Sequence, residues 1–462
     1  MKRRNAIAAI LAILIAAALA LHFSNRNLTQ QIEHGLYVPK KSTITPEIGL
    51  LQQYVRIDTT NPPGNEIAGA KFLGALLDQA HVPYEIIESA PRRANLYARI
   101  RGKNRGDGLL LHNHIDVVPA LGKWDVPPFS GAIKINMLHG RGAIDMKSIA
   151  ICELEAFLDV ARSGKVPEHD LVFLATADEE TGSFLGTRWL LEHRPDVFSD
   201  IKYMITEGGV TEMQKEKVTY FGVETGSKQI VAFDLIGKDE ASLQRARIGL
   251  EPYFRAPDPD RLLPGIRRFF HAVAPQRLDF REPLENIDKT IADGHSWLLP
   301  STMRELLQNT IWARSIERRP DGTFAMHVLM SNLPDEDPDQ RLKWVLEKVK
   351  SFGVTPGAIV RKEGPAPISS DETPLFAIIA RDVRRELGDV PVGPEVLATT
   401  TNDARFLRPK GFICYGLQPF PLDFFQSISV HHTNERVRID WFMSGVRVMK
   451  RIVSDWAFES TS

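Results

Sequence analysis

The run LLLHNHIDVVP, residues 109–119, most narrowly limits what this chain can fold into. It is apolar enough for a buried strand, yet it carries His112, His114 and Asp116 at every second position. Side chains alternate between the faces of a strand, so these three share one face and the apolar residues between them share the other. Buried polar groups need partners. The run alone leaves two interpretations open: a core histidine paired with a carboxylate, or a metal-ligating His114 whose ring Asp116 orients.

The segments around this run alternate between strand-like and helical patterns, which indicates an α/β layer sandwich. The strand-like runs are 84–89, 95–100, 109–118, 171–177 and 203–207, and the helical stretches are 66–80, 148–161 and 184–193. From about residue 222 the pattern changes to a strand, a long arginine-rich stretch with a helical pattern, another strand and a helix. We therefore predict one α/β domain formed by residues 45–221 and 356–462, with an α+β domain inserted at 222–355.

Acidic and histidine side chains follow several of the predicted strands. In open α/β sheets, ligands bind outside the carboxyl ends of the strands, which is where these side chains are expected. Any one of them alone is more often a helix cap or a surface charge, but so many at strand ends indicate one site. The residues are Asp145, Asp178, Glu179, Glu180, Glu207, His431 and His432.

The amino terminus has the pattern of an export segment. The basic MKRRN precedes sixteen residues without a polar side chain, AIAAILAILIAAALAL. Their number lies between a usual signal-peptide core and the ~17–25 residues of a membrane-spanning helix. We predict a signal peptide or membrane anchor at 1–23 and a polar tether at 24–44. The protein would then be exported, either periplasmic or anchored in the membrane and facing outside the cytoplasm.

Charge and cysteine content exclude two other classes of protein. The formal net charge of −1 gives no indication of nucleic-acid binding, and no nucleic-acid partner is expected. Cys152 and Cys414 stand far apart in apolar runs, so they predict buried hydrophobic side chains and not a disulfide framework.

Eight short motifs resemble, in order, those of the zinc-dependent aminoacylase and carboxypeptidase superfamily. They are TNPPGNE, HIDVVP, WDVPPFSG, GRGAIDMK, DEETG, EGG, NDARF and HHTNE. That superfamily includes carboxypeptidase G and succinyl-diaminopimelate desuccinylase, and the chain most resembles its secreted N-acyl-amino-acid hydrolase-like and carboxypeptidase S-like members. The resemblance implies a zinc-peptidase-like catalytic α/β sandwich with an inserted lid and dimerisation domain, and a possible homodimer. It also implies cleavage of amide bonds in small peptides or N-acyl amino acids.

The resemblance further implies two Zn²⁺ ions per chain, for which Co²⁺ or Mn²⁺ can substitute. Glu179 would be the general base acting on a water between the metals, and Asp116 would orient a ligand. A cis peptide bond is implied at Asp145–Met146. The metal ligands would be His114 and Glu207 for one ion, Glu180 and His431 for the other, and Asp145 between them. His112 and His432 are spare histidines, expected to be structural or to support a ligand.

The inserted domain departs from the family pattern at two positions. Glu240 in GKDEAS stands near the place of an expected histidine, and Ser331 stands where an arginine commonly binds the substrate carboxylate. A carboxylate cannot donate to a developing oxyanion unless it is protonated, and serine cannot form a bidentate ion pair. Arg314, Arg318 and Arg319 lie nearby in sequence and could replace the missing arginine. Substrate contacts are predicted at Arg405, Asn402 and Glu240.

The leading hypothesis is an exported binuclear zinc metallohydrolase of amide bonds. The alternative is a binding protein that retains the metals but has lost turnover through its degenerate lid domain. A membrane-tethered scaffold without metal is the least favoured, because a scaffold has no use for a complete set of ligands.

Overall fold

The computed structural model describes residues 44–214, 216–251, 259–362, 364–398 and 400–459. The export segment predicted at 1–23, and the tether except its last residue, lie outside the described residues. Residues from Thr45 onward form one compact unit. No described helix is long and apolar enough to cross a membrane.

The described residues contain sixteen strands and fourteen α-helices. The strands are β1 Tyr84–Ala90, β2 Arg93–Ile100, β3 Asn104–His114, β4 Ala132–Lys134, β5 Met137–His139, β6 His169–Thr176, β7 Ile201–Thr206, β8 Thr211–Gln214, β9 Lys217–Ser227, β10 Gln229–Gly237, β11 Thr310–Arg318, β12 Phe324–Asn332, β13 Val354–Lys362, β14 Val392–Leu397, β15 Ile413–Gly416 and β16 Arg436–Arg438. The helices are α1 Pro46–Val55, α2 Glu66–Gln79, α3 Lys147–Arg162, α4 Thr187–His193, α5 Glu240–Leu250, α6 Pro264–Val273, α7 Arg281–Glu285, α8 Ile287–Ala292, α9 Ser301–Arg304, α10 Pro338–Val349, α11 Pro374–Leu387, α12 Ala404–Leu407, α13 Phe424–Ser427 and α14 Ile439–Phe458.

A large mixed sheet forms the centre of the fold. Its strand order is β1-β2-β6-β3-β7-β15-β9-β14, and β8 pairs with β9. Strand β3 runs parallel to both β6 and β7, and β7 runs parallel to β15. The carboxyl ends of these neighbouring parallel strands therefore meet at one edge of the sheet. The predicted α/β class is confirmed.

Alternation along β3 sets the two layers that cover the sheet. Leu109 and Leu111 pack in the core that contains α3 and α14, whereas Leu110 packs in a second cluster on the other face. Helix α3 is buried over most of its length because it lies between the sheet and α14. Cys152 on α3 and Cys414 on β15 are free and buried, as predicted.

The helix starts follow local sequence signals. Helix α1 begins after Thr45, whose side chain accepts a hydrogen bond from the Ile48 amide at 3.4 Å, with Pro46 at the first helical position. Helix α11 begins in the same way, with Thr373 accepting from the Phe376 amide at 3.1 Å. Both caps satisfy amides that a helix leaves without an internal partner.

A second, four-stranded antiparallel sheet has the order β11-β12-β10-β13. Its apolar face packs against α5 and α10 in a separate core that includes Phe233, Leu243 and Val345. The predicted insertion boundary at 222 falls inside β9, which belongs to the central sheet, and the boundary at 355 falls inside β13. The division into domains stays a prediction.

Candidate metal centre and active site

The parallel strands bring the predicted ligands together at one edge of the central sheet. His114 is the last residue of β3, and Glu207 directly follows β7. Glu179 and Glu180 lie in a short 3₁₀ turn that follows β6. His114 and Glu179 are buried. These residues therefore lie at the carboxyl ends of parallel strands, where open α/β sheets bind their ligands.

Asp145 lies between two histidines and contacts each with a different oxygen. Its Oδ1 is 3.0 Å from His114 Nε2, and its Oδ2 is 2.9 Å from His431 Nε2. Glu207 Oε2 is 3.6 Å from the same His114 nitrogen, and Glu180 Oε2 is 3.2 Å from the same His431 nitrogen. The structure therefore brings together all five predicted ligands, as two histidine–glutamate pairs that share Asp145.

The loop that carries Asp145 is held by Glu435, a residue that the sequence interpretation missed. One Glu435 oxygen accepts from the Ile144 and Asp145 amides at 2.8 and 3.2 Å. The other accepts from Arg141 Nη1 at 2.6 Å. Glu435 ends the motif HHTNE, so its place in that motif was the available signal. The Asp145–Met146 peptide bond is cis, as the resemblance implied.

Asp116 contacts the centre through both its main chain and its side chain. His114 Nδ1 lies 2.9 Å from the Asp116 main-chain carbonyl but 3.6 Å from its carboxylate. The carboxylate instead accepts from the amides of Glu179 and Glu180 at 3.1 and 3.2 Å. It also accepts from Asn61 at 2.9 Å. The main chain of Asp116 thus orients His114, and its side chain fixes the turn that carries both glutamates.

Glu179 is fixed by an ion pair with Arg405. Arg405 Nη1 lies 2.7 Å from Glu179 Oε1, and Arg405 Nη2 lies 3.4 Å from Asp403 Oδ1. A carboxylate oxygen of Glu179 also lies within 4.8 Å of the ligand atoms of His114 and Glu207. The Arg405 side chain is buried, at 1% exposure, so its guanidinium supports Glu179 from behind. A direct contact of Arg405 with substrate stays a prediction that this placement does not favour.

The two other predicted substrate-contact residues, Asn402 and Glu240, have different surroundings. Asn402 is buried, and its Nδ2 donates to the Glu207 carbonyl at 2.7 Å and to Glu224 at 3.2 Å. Its amide thereby positions the main chain of Glu207. Glu240 is exposed at the start of α5, beyond the end of β10, and the structure does not bring it to the cluster. Both substrate contacts stay untested predictions.

The spare histidines differ from the ligands in their partners. His112 contacts the hydroxyls of Thr206, Thr187 and Thr176 at 3.0, 2.9 and 3.1 Å. Burial, together with the nearby charges of His114 and Arg405, lowers the pKa of His112 to about 3, so its ring is neutral. His112 is therefore a satisfied core histidine. His432 is exposed.

The electrostatics of the cluster fit a site for divalent cations. Burial and the charge of Asp145 raise the pKa of Glu180 to about 7, and the same two causes raise the pKa of Glu207 well above its usual range. Hydrogen bonds with Asp145 and Glu180 raise the pKa of His431 to about 11. Glu180 Oε1 is buried and has no hydrogen-bond partner among the described residues. Several neighbouring carboxylates, one of them with a buried oxygen that has no hydrogen bond among the described residues, lie beside two imidazoles. Such a set of oxygen and nitrogen donors suits a divalent metal of the zinc type.

A sequence model of the family described as "Peptidase family M20/M25/M40" matches residues 110–455, more than half of the chain. The chain belongs to peptidase family M20/M25/M40. The resemblance inferred from the eight motifs is thereby confirmed. The predicted class, a metal-dependent hydrolase of amide C–N bonds, is confirmed at the level of this family.

Curated relatives and a solved structure agree with the M20/M25/M40 assignment. The chain is 36% identical over 160 residues to a succinyl-diaminopimelate desuccinylase of Bradyrhizobium sp.. The aligned segment covers 33% of this chain and 41% of that relative. It is 23% identical over 377 residues to a succinyl-diaminopimelate desuccinylase of Nautilia profundicola. This aligned segment covers 81% of this chain and 91% of that relative. The M20 family metallo-carboxypeptidase of Sulfolobus solfataricus superposes with a TM-score of 0.71 at 16% identity, covering 89% of this chain and 99% of that one. This last likeness establishes the fold.

Proposed function

We propose that this protein is a binuclear zinc hydrolase that cleaves amide bonds of small peptides or N-acyl amino acids. The observation that carries the proposal is Asp145, whose two oxygens lie 3.0 and 2.9 Å from the Nε2 atoms of His114 and His431. A carboxylate that reaches two imidazoles, each beside its own glutamate, is suited to bridging two ions.

The residues present would hold two ions in the arrangement that the family resemblance implies. His114 and Glu207 would hold one, His431 and Glu180 the other, and Asp145 would contact both. When bound, such a pair of ions polarises a carbonyl and lowers the pKa of a water molecule. The three carboxylates would offset three of the four charges of two Zn²⁺ ions, so the site favours binding one further anion.

Glu179 is the residue proposed to move the proton. Arg405 holds its Oε1, while the turn fixed by Asp116 directs the side chain toward the His114 and Glu207 side of the cluster. A carboxylate held this way can take a proton from water and deliver it to the departing amine nitrogen. Glu180 cannot take this role, because its carboxylate already faces His431.

Metal analysis and turnover of the purified protein test the proposal. We expect about two zinc ions per chain, and hydrolysis of members of a panel of dipeptides and N-acyl amino acids. A chelator should abolish hydrolysis, and added Zn²⁺, Co²⁺ or Mn²⁺ should restore it. Full metal content without turnover of any panel member would instead support the alternative, a metal-retaining binding protein.

Export and assembly are part of the same proposal and rest on the sequence alone. The basic MKRRN and the sixteen apolar residues after it support an exported protein that is held at the membrane if the segment is uncleaved. Fractionation of cells that produce the full chain should place it in a periplasmic or membrane fraction. Light scattering of the purified protein would test for a homodimer, and recovery from the cytoplasm would contradict export.

A further inference from the structure

We propose that Arg188 binds a free carboxylate of the substrate. The inference rests on the proposed function and names a specificity-determining residue for it. Arg188 is the second residue of α4, and its side chain is half-buried. Its guanidinium carbon lies 4.2 Å from the centre of the Phe184 ring and 5.6 Å from the centre of the Phe406 ring.

Both rings belong to the segments that carry the catalytic machinery. Phe184 follows Glu180 by four residues, and its ring packs back over Gly182 in the same loop. Phe406 directly follows Arg405, whose guanidinium carbon lies 4.6 Å from the same Phe406 ring. Arg188 is thus separated from the Arg405–Glu179 ion pair by one aromatic side chain. Arg188 therefore carries a positive charge beside the ring that contacts Arg405, the partner of Glu179.

Arg188 has no anionic partner. Among the residues that the structure describes, its guanidinium forms no hydrogen bond and no ion pair, and its contacts are with the two rings. Four other arginines beside the site loops are each paired with a carboxylate. These pairs are Arg93 with Glu66, Arg141 with Glu435, Arg405 with Glu179 and Arg408 with Glu224. Arg188 therefore has hydrogen-bond donors available for a ligand.

The inserted domain supplies no cation at the position where one was expected. Ser331 is buried, and its hydroxyl donates to the Ala398 carbonyl at 3.4 Å. Arg314, Arg318 and Arg319, which the sequence offered as replacements, are exposed on β11 and just beyond it. A planar guanidinium stacked on an aromatic face is already oriented for bidentate binding of a carboxylate. Arg188 meets this description.

The carboxylate could stand on either side of the scissile bond, and matched substrate pairs distinguish the two. One pair is an N-acetyl amino acid and its carboxamide, which differ on the amine side. The other is an N-succinyl amino acid amide and its succinamoyl counterpart, which differ on the acyl side. For each pair, kcat/KM is measured for the wild-type protein, Arg188→Gln and Arg188→Lys at equal zinc loading. Arg341→Gln is the control, because Arg341 stacks on Trp344 in α10, in the separate core of the second sheet.

In one of the two pairs, we expect Arg188→Gln to lower kcat/KM for the acid by about 10–150-fold, the value of a charge-assisted pair. The neutral partner should change by less than about threefold. Arg188→Lys should be intermediate, and Arg341→Gln should leave both ratios unchanged. The ratio within one preparation is independent of the fraction of folded enzyme, so partial misfolding cannot imitate the result.

An acid-to-amide ratio that is unchanged by Arg188→Gln in both pairs would overturn the inference while leaving the proposed function intact. A wild-type protein that is fully loaded with zinc but inactive on all four substrates and on the wider panel would instead refute the proposed function, and the inference with it. The two failures are therefore distinguishable.

Discussion

Replacement of Arg405 tests whether this arginine supports the general base or binds the substrate. In Arg405→Gln, Glu179 loses a partner at 2.7 Å and Asp403 loses one at 3.4 Å. The side chains of these two acids are only 9% and 0% exposed. Water therefore cannot replace the guanidinium without opening the structure, and the two carboxylates would be left buried without their cation.

The burial of the two carboxylates determines how much unfolding free energy the substitution is expected to remove. Removing one partner of a buried ion pair destabilises a protein by about 3–5 kcal/mol. Arg405→Lys keeps the charge, but a compact ammonium cannot reach both carboxylates, so its expected cost is about 1.5–3 kcal/mol. Arg451→Gln is the matched control: the Arg451 side chain is 41% exposed and pairs with Glu386 at 2.8 Å. Loss of such an exposed pair costs about 0–1 kcal/mol.

The destabilisation caused by Arg405→Gln should also increase with pH. Burial raises the pKa of Asp403 to about 6, and the charge of Arg405 opposes this rise. A carboxyl group whose folded pKa is raised loses stability as pH increases from its unfolded value through its folded value. Without Arg405 the pKa of Asp403 in the folded state rises further, so the free energy of unfolding continues to fall up to a higher pH. The destabilisation by Arg405→Gln should therefore be larger at pH 8 than at pH 5.5.

Urea denaturation at the two pH values and steady-state kinetics measure these effects. If Arg405 positions Glu179, kcat should fall strongly for the free acid and for its carboxamide alike. If Arg405→Gln is as stable as Arg451→Gln and raises KM for the free acid alone, the positioning role is refuted. The initial interpretation of Arg405 as a substrate-binding residue would then be correct.

Three further substitutions test other parts of the structure. Glu179→Ala should retain about two metals per chain by elemental analysis yet lose nearly all hydrolysis; loss of metal would mean that the roles of Glu179 and Glu180 are exchanged. His112→Leu should cost about 1–3 kcal/mol of unfolding free energy, because three threonine hydroxyls lose a partner, with metal content unchanged. Burial lowers the pKa of Lys228 from 10.5 to about 7, so the folded state binds fewer protons than the unfolded state between these values, and stability rises with pH. From pH 6 to pH 9, Lys228 should add roughly 3 kcal/mol to the free energy of unfolding of the wild-type protein. Lys228→Met should lack this increase. An equal pH dependence of the two unfolding free energies would contradict the prediction.

The central part of the fold was predictable because its strands are continuous apolar runs. Strands β3, β6 and β7 are buried in the sheet interior, and their sequences show it directly. Strand β14 was missed because VGPEVL contains a glycine and a proline; it lies at the end of the sheet order, where a residue without an amide hydrogen is tolerated. Strand β11 was missed because TIWARSIER lies in the arginine-rich stretch that was predicted to be helical. Its exposed residues lie at the edge of the second sheet, where hydrophobic patterning is weak.

The positions of the five predicted ligands could be inferred for a local reason, and the contacts that support them could not. Each ligand stands next to a strand end or in a motif, so chain order alone identifies it. The Arg405–Glu179 pair joins residues 226 positions apart, and Arg141 and Glu435 are 294 apart. Such contacts depend on how the loops pack, which a single sequence does not record. For this reason Arg405 was predicted to contact substrate, although the structure places it against Glu179.

His112 and His114 have equivalent positions in the two-residue period of β3, but the structure gives them different partners. Both rings lie on the same face of β3, and both are buried. His112 contacts hydroxyls from β6, β7 and α4, and burial keeps its ring neutral. Burial alone would also lower the pKa of His114, but the charge of the facing Glu207 and the nearby carboxylates of Asp116 and Asp145 raise it well above its usual value. The identity of the partners, and not the position of the histidine in the strand, determines which ring is available to a metal.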